Sequence, residues 1–154
     1  MEAILTVGIS ACGKSTYAGL LKHTEINRDD IRFGIVMPEA QDSWKKYVFS
    51  KENEALTTSV ENTLFKQAVE DGDDIVISNT NINTQIRRDW IKRCKEEGYT
   101  VKIVVFNISL EEAIQRDRFR GKRSVGEKVI TSQYEKLQKA LKDIEKEEAI
   151  HGVS

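Results

Sequence analysis

The sequence predicts an α/β protein built on one parallel β-sheet with helices on both faces. Short apolar runs rich in β-branched residues alternate along the chain with longer segments of helical period. This alternation is typical of parallel sheets, because a helix must cross over between successive strands. The first apolar run also leads directly into a glycine-containing loop that opens a helix. We expect a sheet of about four or five strands.

The strands are predicted in order from their composition. The runs at 3–7 (AILTV), 74–78 (DIVIS) and 100–106 (TVKIVVF) are mostly apolar and β-branched, which is typical of buried strands. The brief TEIN segment at 24–27 predicts a further short strand. No repeat or proline-rich linker divides the chain, so we expect a single domain over residues 1–154.

Helices are predicted between and after these strands. Ser109 followed by Glu112, and Ser124 followed by Glu127, are capping-box patterns that mark helix starts. Gly98 is a typical helix stop. The predicted helices cover 15–22, 29–36, 50–71 and 84–97, a segment that begins after Ser109, and a final charge-rich segment at about 125–149.

Composition excludes several classes of protein. The 24 basic and 25 acidic residues give a net charge of −1, so a nucleic acid would have to be held by a local basic patch. Two cysteines cannot form a disulfide scaffold. No window approaches a membrane span, and the N-terminus lacks a signal peptide's basic region. We therefore expect a cytoplasmic protein that has no membrane segment.

Residues 8–15 (GISACGKS) match the phosphate-loop pattern G-x-x-x-x-G-K-[ST] between a strand and a helix. Gly8 and Gly13 let the backbone curl so that its N–H groups point inward at an anion. Lys14 would place a charge near the β- and γ-phosphates, and the Ser15 hydroxyl would bind Mg²⁺. ATP and Mg²⁺ are thus the predicted cofactors. The predicted ATP-binding residues of this loop are Gly8, Ser10, Ala11, Cys12, Gly13, Lys14, Ser15 and Thr16.

Cys12 within this loop has two interpretations. It is either a small side chain that packs, as most structural cysteines do, or a reactive thiol beside a helix N-terminus. A reactive Cys12 would be alkylated with loss of activity, and ATP would protect it.

The class of phosphate-loop protein is narrowed by what the sequence lacks. It has no N-K-x-D element of the kind that reads guanine in switch GTPases. The strand at 74–78 is followed by Asn79-Thr80-Asn81 rather than by the acidic residues usual in large motor ATPases. The class that remains is the small kinases, which transfer the γ-phosphoryl group to a hydroxyl. Such a kinase needs a carboxylate, a group that holds the acceptor, and cations near the β,γ-bridge.

Two charged runs supply these groups. Asp29 and Asp30 are adjacent, so both cannot face one pocket from a helix start, whereas Arg32 can project on the same side as Asp29. The run from Arg116 to Arg123 holds five basic residues and one acid around Gly121. It predicts a mobile lid at about 116–125 that lays arginines over the triphosphate. The alternative is a solvated helix end with cations near its C-terminal dipole.

Four segments in this order resemble the kinase module of the bacteriophage polynucleotide kinases: GISACGKST, INRDDIR, VISNTNIN and R-x-x-x-R-G. The resemblance covers nearly the whole chain. It implies a P-loop kinase fold with an arginine-rich lid. It also implies a polynucleotide 5′-hydroxyl kinase that transfers the ATP γ-phosphoryl group to DNA or RNA 5′ ends during end healing, and it suggests self-association.

The resemblance also assigns roles to individual residues. Asp29 would be the general base, and Arg32 would bind the phosphate next to the 5′-terminal nucleoside. Thr80 would lie near the acceptor. Arg120 would contact the transferring phosphate, and Arg116 would lie near the nucleotide. With Lys14, Asp29 and Arg120 form the predicted catalytic set.

Two departures from the family pattern leave questions open. Asn79 stands where the T-even phage enzyme has aspartate; an amide hydrogen-bonds without carrying charge. How the acceptor site and its arginine are oriented therefore stays open, and Asn79 is grouped with Arg32 and Thr80 as a predicted acceptor residue. The sequence also predicts no phosphatase domain. Alternative functions are a nucleoside or sugar kinase, a regulatory or toxin-like nucleotide-binding protein, and a nucleic-acid scaffold.

Overall fold

The computed structural model describes the backbone of residues 1–151 and the side chains of residues 1–146. At its centre is a parallel four-stranded sheet in the order β2-β3-β1-β4. This confirms the predicted fold class. The strands are β1 (Glu2–Val7), β2 (Thr24–Ile26), β3 (Ile75–Ile77) and β4 (Thr100–Val105).

Within residues 1–151, six α-helices connect and follow the strands, close to the predicted ranges. None of the helices within residues 1–151 has both the length and the apolar content needed to cross a membrane. The helices are α1 (Lys14–Leu20), α2 (Arg28–Ile31), α3 (Lys51–Asp71), α4 (Thr84–Glu96), α5 (Leu110–Phe119) and α6 (Glu127–His151).

Both faces of the sheet are covered because successive strand residues point to opposite sides. Leu5 of β1 belongs to the main core, in which side chains of α3 to α6 such as Phe65 and Trp90 are buried. Ile4, one position earlier, packs on the other face against Ala18 of α1. The parallel strands therefore all end at one edge, where their connecting loops meet.

The segment predicted as a helix over 29–36 is two pieces. Helix α2 ends at Ile31 and continues as a π-helical turn over Arg32–Val36. The cap of α2 is Asn27, whose side chain accepts the Asp30 N–H at 3.1 Å. Asp29 and Asp30 thus occupy the first helical turn rather than the cap.

The two predicted capping boxes have different outcomes. The Ser109 hydroxyl caps α5 by accepting the Glu112 N–H at 3.1 Å, as predicted. The start predicted at Ser124 is wrong, because α6 begins at Glu127. The Ser124 hydroxyl instead donates to the buried carboxylate of Asp117 at 2.7 Å, a charge-assisted hydrogen bond.

A second, smaller apolar cluster lies between α2 and α3. Phe33, Ala40 and Tyr47 are buried there, with Trp44 packed against them. The Trp44 indole N–H donates to the carbonyl of Ser124. The guanidinium of Arg123 lies 4.7 Å from the centre of the Phe33 ring. These contacts join the cluster to the end of the predicted lid segment.

Candidate active site

One cavity of about 950 Å³ opens where β1, β2 and β3 end. It brings together nearly all of the predicted site residues, although they come from four separate stretches of the chain. Gly8 is the exception, since it is buried and does not line the cavity. The predicted residues that line the cavity are Ser10, Ala11, Cys12, Gly13, Lys14, Ser15, Thr16, Asp29, Arg32, Asn79, Thr80, Arg116 and Arg120.

The phosphate loop reverses direction through left-handed backbone at Ala11 (φ 63°) and Gly13 (φ 102°). Gly8 is needed for a different reason. A Cβ there would lie 2.6 Å from the Sγ atom of Cys12 and 3.0 Å from the Cβ atom of Phe106. The Gly8 N–H donates to the carbonyl of Thr80 at 3.0 Å, which ties the loop to the segment after β3.

Both cysteines are packing residues. Cys12 is 3% exposed and belongs to the main core, which favours the packing interpretation over a reactive thiol. Cys94 is fully buried, and burial raises its pKa to about 12. Thiolates are the reactive form, so we expect Cys94 to be inert in the folded protein.

The Lys14 ammonium is held inside the loop. Its Nζ atom donates to the Ile9 carbonyl at 2.5 Å and to the Cys12 Sγ atom at 3.4 Å. Burial lowers the pKa of Lys14, and the positive charge of Arg120 lowers it further, whereas Cys12 and Asp29 oppose this. Asp29 and Arg120 therefore lie close enough to Lys14 to influence the pKa of its ammonium.

Asp29, rather than Asp30, lines the cavity. Its exposed carboxylate accepts a hydrogen bond from the Arg32 guanidinium at 3.0 Å. Asp30 lies outside the cavity, and its pKa is raised, first by burial and then by the charges of Glu25 and Asp29. The structure thus separates the two adjacent acids, as their spacing predicted.

Arg32 is held by Glu54, a residue that no sequence motif singles out. Its Nε and NH2 atoms donate to the two Glu54 oxygens at 3.1 and 2.6 Å, and the Tyr47 hydroxyl also donates to Glu54 at 2.8 Å. Burial raises the pKa of Glu54, but these hydrogen bonds outweigh it and leave the pKa below its usual value. The Arg32 guanidinium also lies 5.3 Å from the centre of the half-exposed Phe49 ring.

Asn79, which stands where the T-even phage enzyme has aspartate, uses both ends of its amide in hydrogen bonds. Its Oδ1 atom accepts the backbone N–H of Arg28 at 2.8 Å, and its Nδ2 atom donates to Glu61 at 3.2 Å. Glu61 is 5% exposed, and its other oxygen accepts from the Arg28 guanidinium at 3.0 Å. Neither Glu61 nor Arg28 was predicted as a site residue.

The neighbouring Asn81 fixes the turn that carries Asn79 and Thr80. It has left-handed backbone (φ 50°) and is 3% exposed. Its amide donates to the carbonyls of Thr6 at 2.8 Å, and of Ile77 and Asn79 at 3.1 Å. In the phosphate loop, the Ser10 N–H donates to the Gln133 side chain of α6 at 2.8 Å.

The arginine-rich segment is pinned by its single acid. Arg116 and Arg120 line the cavity as predicted, whereas Arg118 does not and lies 3.8 Å from Glu127. Asp117, which is 2% exposed, accepts the N–H groups of both residues that follow Ser124, each at 2.9 Å. Burial raises the pKa of Asp117, but its hydrogen bonds with Ser124 and these N–H groups outweigh it and lower the pKa overall. The positions of two arginines agree with a lid; its mobility stays a prediction.

The residues present fit a metal ion that is bound mainly by the phosphate oxygens of a nucleotide. Among the described residues, no group of three or more histidine, cysteine or acidic side chains could hold a metal ion. Ser15 lines the cavity from the first turn of α1. A lone hydroxyl suits Mg²⁺, which keeps several waters and is often bound together with substrate phosphates.

Comparison with known proteins identifies a viral relative of this chain. Over 147 residues the chain is 33% identical to a protein of Autographa californica nuclear polyhedrosis virus that carries the name bifunctional polynucleotide kinase/RNA ligase. That match covers 90% of this chain and 21% of the viral protein. The chain thus spans about a fifth of this relative, and the similarity confirms the resemblance to polynucleotide kinases.

Solved structures share the fold. A chain of the Pnkp1/Rnl/Hen1 RNA repair complex superposes with a TM-score of 0.75 at 19% identity, over 92% of this chain and 45% of that one. Deoxyadenosine kinase from M. mycoides, with bound dATP, superposes with a TM-score of 0.56 at 16% identity, over 92% of this chain and 84% of that one. The kinase-type fold is confirmed. The family model described as an AAA domain matches residues 4–144, and the chain therefore belongs to the AAA domain family.

Proposed function

We propose that this chain is a polynucleotide 5′-hydroxyl kinase domain that transfers the ATP γ-phosphoryl group to 5′-OH ends of DNA or RNA during end healing. One observation carries the proposal. Lys14 of the phosphate loop and the Asp29–Arg32 pair line the same cavity. A phosphate-binding cation and a proton acceptor with an adjacent arginine are what transfer to a sugar hydroxyl next to a phosphodiester requires. The viral relative named as a polynucleotide kinase supports this substrate class.

In the proposed reaction, the loop over residues 8–15 binds the ATP phosphates through backbone N–H groups and the Lys14 ammonium. Asp29 takes the proton of the 5′-OH as its oxygen bonds to the γ-phosphorus, and the bond to the β,γ-bridging oxygen breaks to release ADP. Arg120 and Lys14 stabilise charge on the transferring group. Bound at Ser15 and the phosphates, Mg²⁺ would supply further charge neutralisation.

Arg32 would hold the phosphate that follows the terminal nucleoside. Glu54 and Asp29 already fix the guanidinium by three hydrogen bonds, at 3.1, 2.6 and 3.0 Å. A fixed guanidinium loses little side-chain entropy when it binds an anion. Thr80 lines the same cavity and would contact the terminal sugar.

The test is transfer of radiolabel from [γ-³²P]ATP to 5′-OH oligonucleotides of DNA and RNA, compared with free nucleosides and sugars. We expect label on oligonucleotides that carry a 5′-OH and none on matched oligonucleotides that carry a 5′-phosphate. Transfer to nucleosides or sugars alone would replace the proposal with a small-molecule kinase, whose fold this chain also shares. ATP hydrolysis that is independent of any acceptor would favour a regulatory protein.

Arg32→Ala is expected to raise the KM for the oligonucleotide by about 10–100-fold, the value of one or two charge-assisted hydrogen bonds. The KM for ATP should stay unchanged, because Arg32 is assigned to the acceptor. Turnover should also fall, since Arg32 contacts Asp29 at 3.0 Å. Steady-state kinetics with each substrate varied separately measure these effects. Arg118→Ala is the matched control, because Arg118 is 70% exposed and outside the cavity. Equal effects in the two variants would remove Arg32 from the acceptor site.

A further inference from the structure

Asn79 closes a ring of three hydrogen bonds at the start of α2. The ring runs from the Arg28 backbone N–H to Asn79 Oδ1, from Asn79 Nδ2 to Glu61, and from the Arg28 guanidinium back to Glu61. The distances are 2.8, 3.2 and 3.0 Å. The ring therefore joins the loop after β3 and helix α3 to the first residue of α2, and Asp29 is the next residue along α2.

The ring has a fixed donor and acceptor order. The Arg28 N–H can only donate, so the side chain at position 79 must accept from it. Ionised Glu61 can only accept, so the other end of the side chain at position 79 must donate. Asparagine satisfies both requirements, because it carries one acceptor and one donor end. Aspartate would satisfy the first but would set its second oxygen against the buried Glu61 carboxylate.

A second set of contacts holds the same helix start. The Asn27 amide donates to the Ser78 hydroxyl at 2.9 Å and to the Ser78 carbonyl at 3.3 Å. These bonds place the cap residue of α2, whose side chain also accepts the Asp30 N–H. The Asn79–Glu61 ring contacts the helix one residue closer to Asp29, and its anchor Glu61 is 5% exposed on a 21-residue helix.

We propose that Asn79 and Glu61 are a polarity-matched pair of positioning residues that sets the first turn of α2 and thereby aims the Asp29 carboxylate. The negative charge that aspartate would bring to position 79 stands instead on Glu61, where it pairs with Arg28. Both residues line the cavity, and the role proposed here requires no contact between them and the reacting atoms. The effect on turnover follows from the role proposed above for Asp29, on which this inference rests.

The pair predicts an exchange experiment with four proteins. Asn79→Asp opposes two carboxylates, and Glu61→Gln opposes two NH₂ groups, so each single variant breaks the ring. The double variant N79D/E61Q restores it with the order reversed: the carboxylate at 79 accepts from Arg28 and from the amide at 61, and the amide oxygen at 61 accepts from the Arg28 guanidinium. The summed charge of the three side chains equals that of the wild type.

We expect each single variant to lose about 10–100-fold in kcat, as displacement of a catalytic group by about 1 Å does. The KM for ATP should change by less than about twofold, because the phosphate loop lies outside the ring. The double variant should return to within about threefold of the wild-type kcat, a non-additivity expected of residues in one hydrogen-bond network. Glu52→Gln on the exposed side of α3 is the matched control and should leave kcat unchanged.

Turnover is measured with whichever hydroxyl acceptor the wild type phosphorylates, and thermal melting is measured without substrate. If that acceptor is not a polynucleotide, the proposed function is wrong. The kcat values and melting temperatures of the four proteins still test the pair. If a single variant does not fold, recovery of folding in N79D/E61Q supports the pair. The inference is overturned if N79D retains wild-type kcat. It is also overturned if the double variant exceeds the less active single variant neither in kcat nor in melting temperature.

Discussion

Replacing Asp29 by alanine is expected to lower turnover by about 10²–10⁴-fold, the usual contribution of a general base. A 5′-hydroxyl has a far higher pKa than a carboxylic acid, so its proton must leave as the new bond to phosphorus forms. Two of the described acids that line the cavity, Asp29 and Asp89, are exposed. Asp29 is the one that contacts Arg32, and its side chain is 58% exposed, whereas Asp89 accepts a hydrogen bond from Gln85 at 2.9 Å. Glu54 and Glu61 are committed to Arg32 and to Arg28 and Asn79, respectively.

Asp30→Ala supplies the matched control for this prediction. Asp30 carries the same charge in the same helical turn but lies outside the cavity. We expect its loss to change kcat by less than about threefold and ATP affinity not at all. Isothermal titration with a non-hydrolysable ATP analogue should give equal affinities for the wild type and both variants, while single-turnover transfer separates them. Near-normal transfer by Asp29→Ala would remove Asp29 from its role.

The sequence predicts the parts of this site that are contiguous in the chain. The phosphate loop is a local motif whose strand and helix flanks are themselves signalled by composition, so its position could be predicted from residues 3–20, although its contacts with Thr80 and Gln133 could not. The pairing of Asp29 with Arg32 could be predicted for a similar reason, because a spacing of three puts them on one side of a helical turn. Their 3.0 Å contact bears this out.

The supporting acids could not be predicted in this way. Glu54 and Glu61 lie on α3, which carries charged and polar residues around much of its surface, and a helical pattern does not say which of them meets α2. Asp117 appeared only as the single acid in a basic run. Its burial depends on the backbone after Arg120 folding back so that two N–H groups reach it. Such roles arise from packing between elements, which local periodicity does not encode.

Lys14→Met is expected to lower kcat by about 10²–10³-fold, the effect of removing one electrostatic donor to a transition state. Lys14→Arg should not restore it, because the planar guanidinium cannot replace a compact ammonium that is 8% exposed against the Ile9 carbonyl. Transfer assays at saturating ATP measure both variants, and thermal melting controls for folding. Full activity in Lys14→Arg would mean that any positive charge at this position is sufficient.

The lowered pKa of Lys14 also sets the sign of a pH effect. Burial and the Arg120 charge favour the neutral amine, so as pH rises the catalytic ammonium is lost at a lower pH than for an ordinary lysine. Bound phosphates favour the ammonium and raise its pKa again. Because kcat/KM for ATP reports the free enzyme and kcat reports the complex, the alkaline fall in kcat/KM should come at lower pH than the fall in kcat. If kcat/KM and kcat fall at the same pH, or if Lys14→Met shows the same separation between them, the alkaline loss of activity belongs to a group other than Lys14.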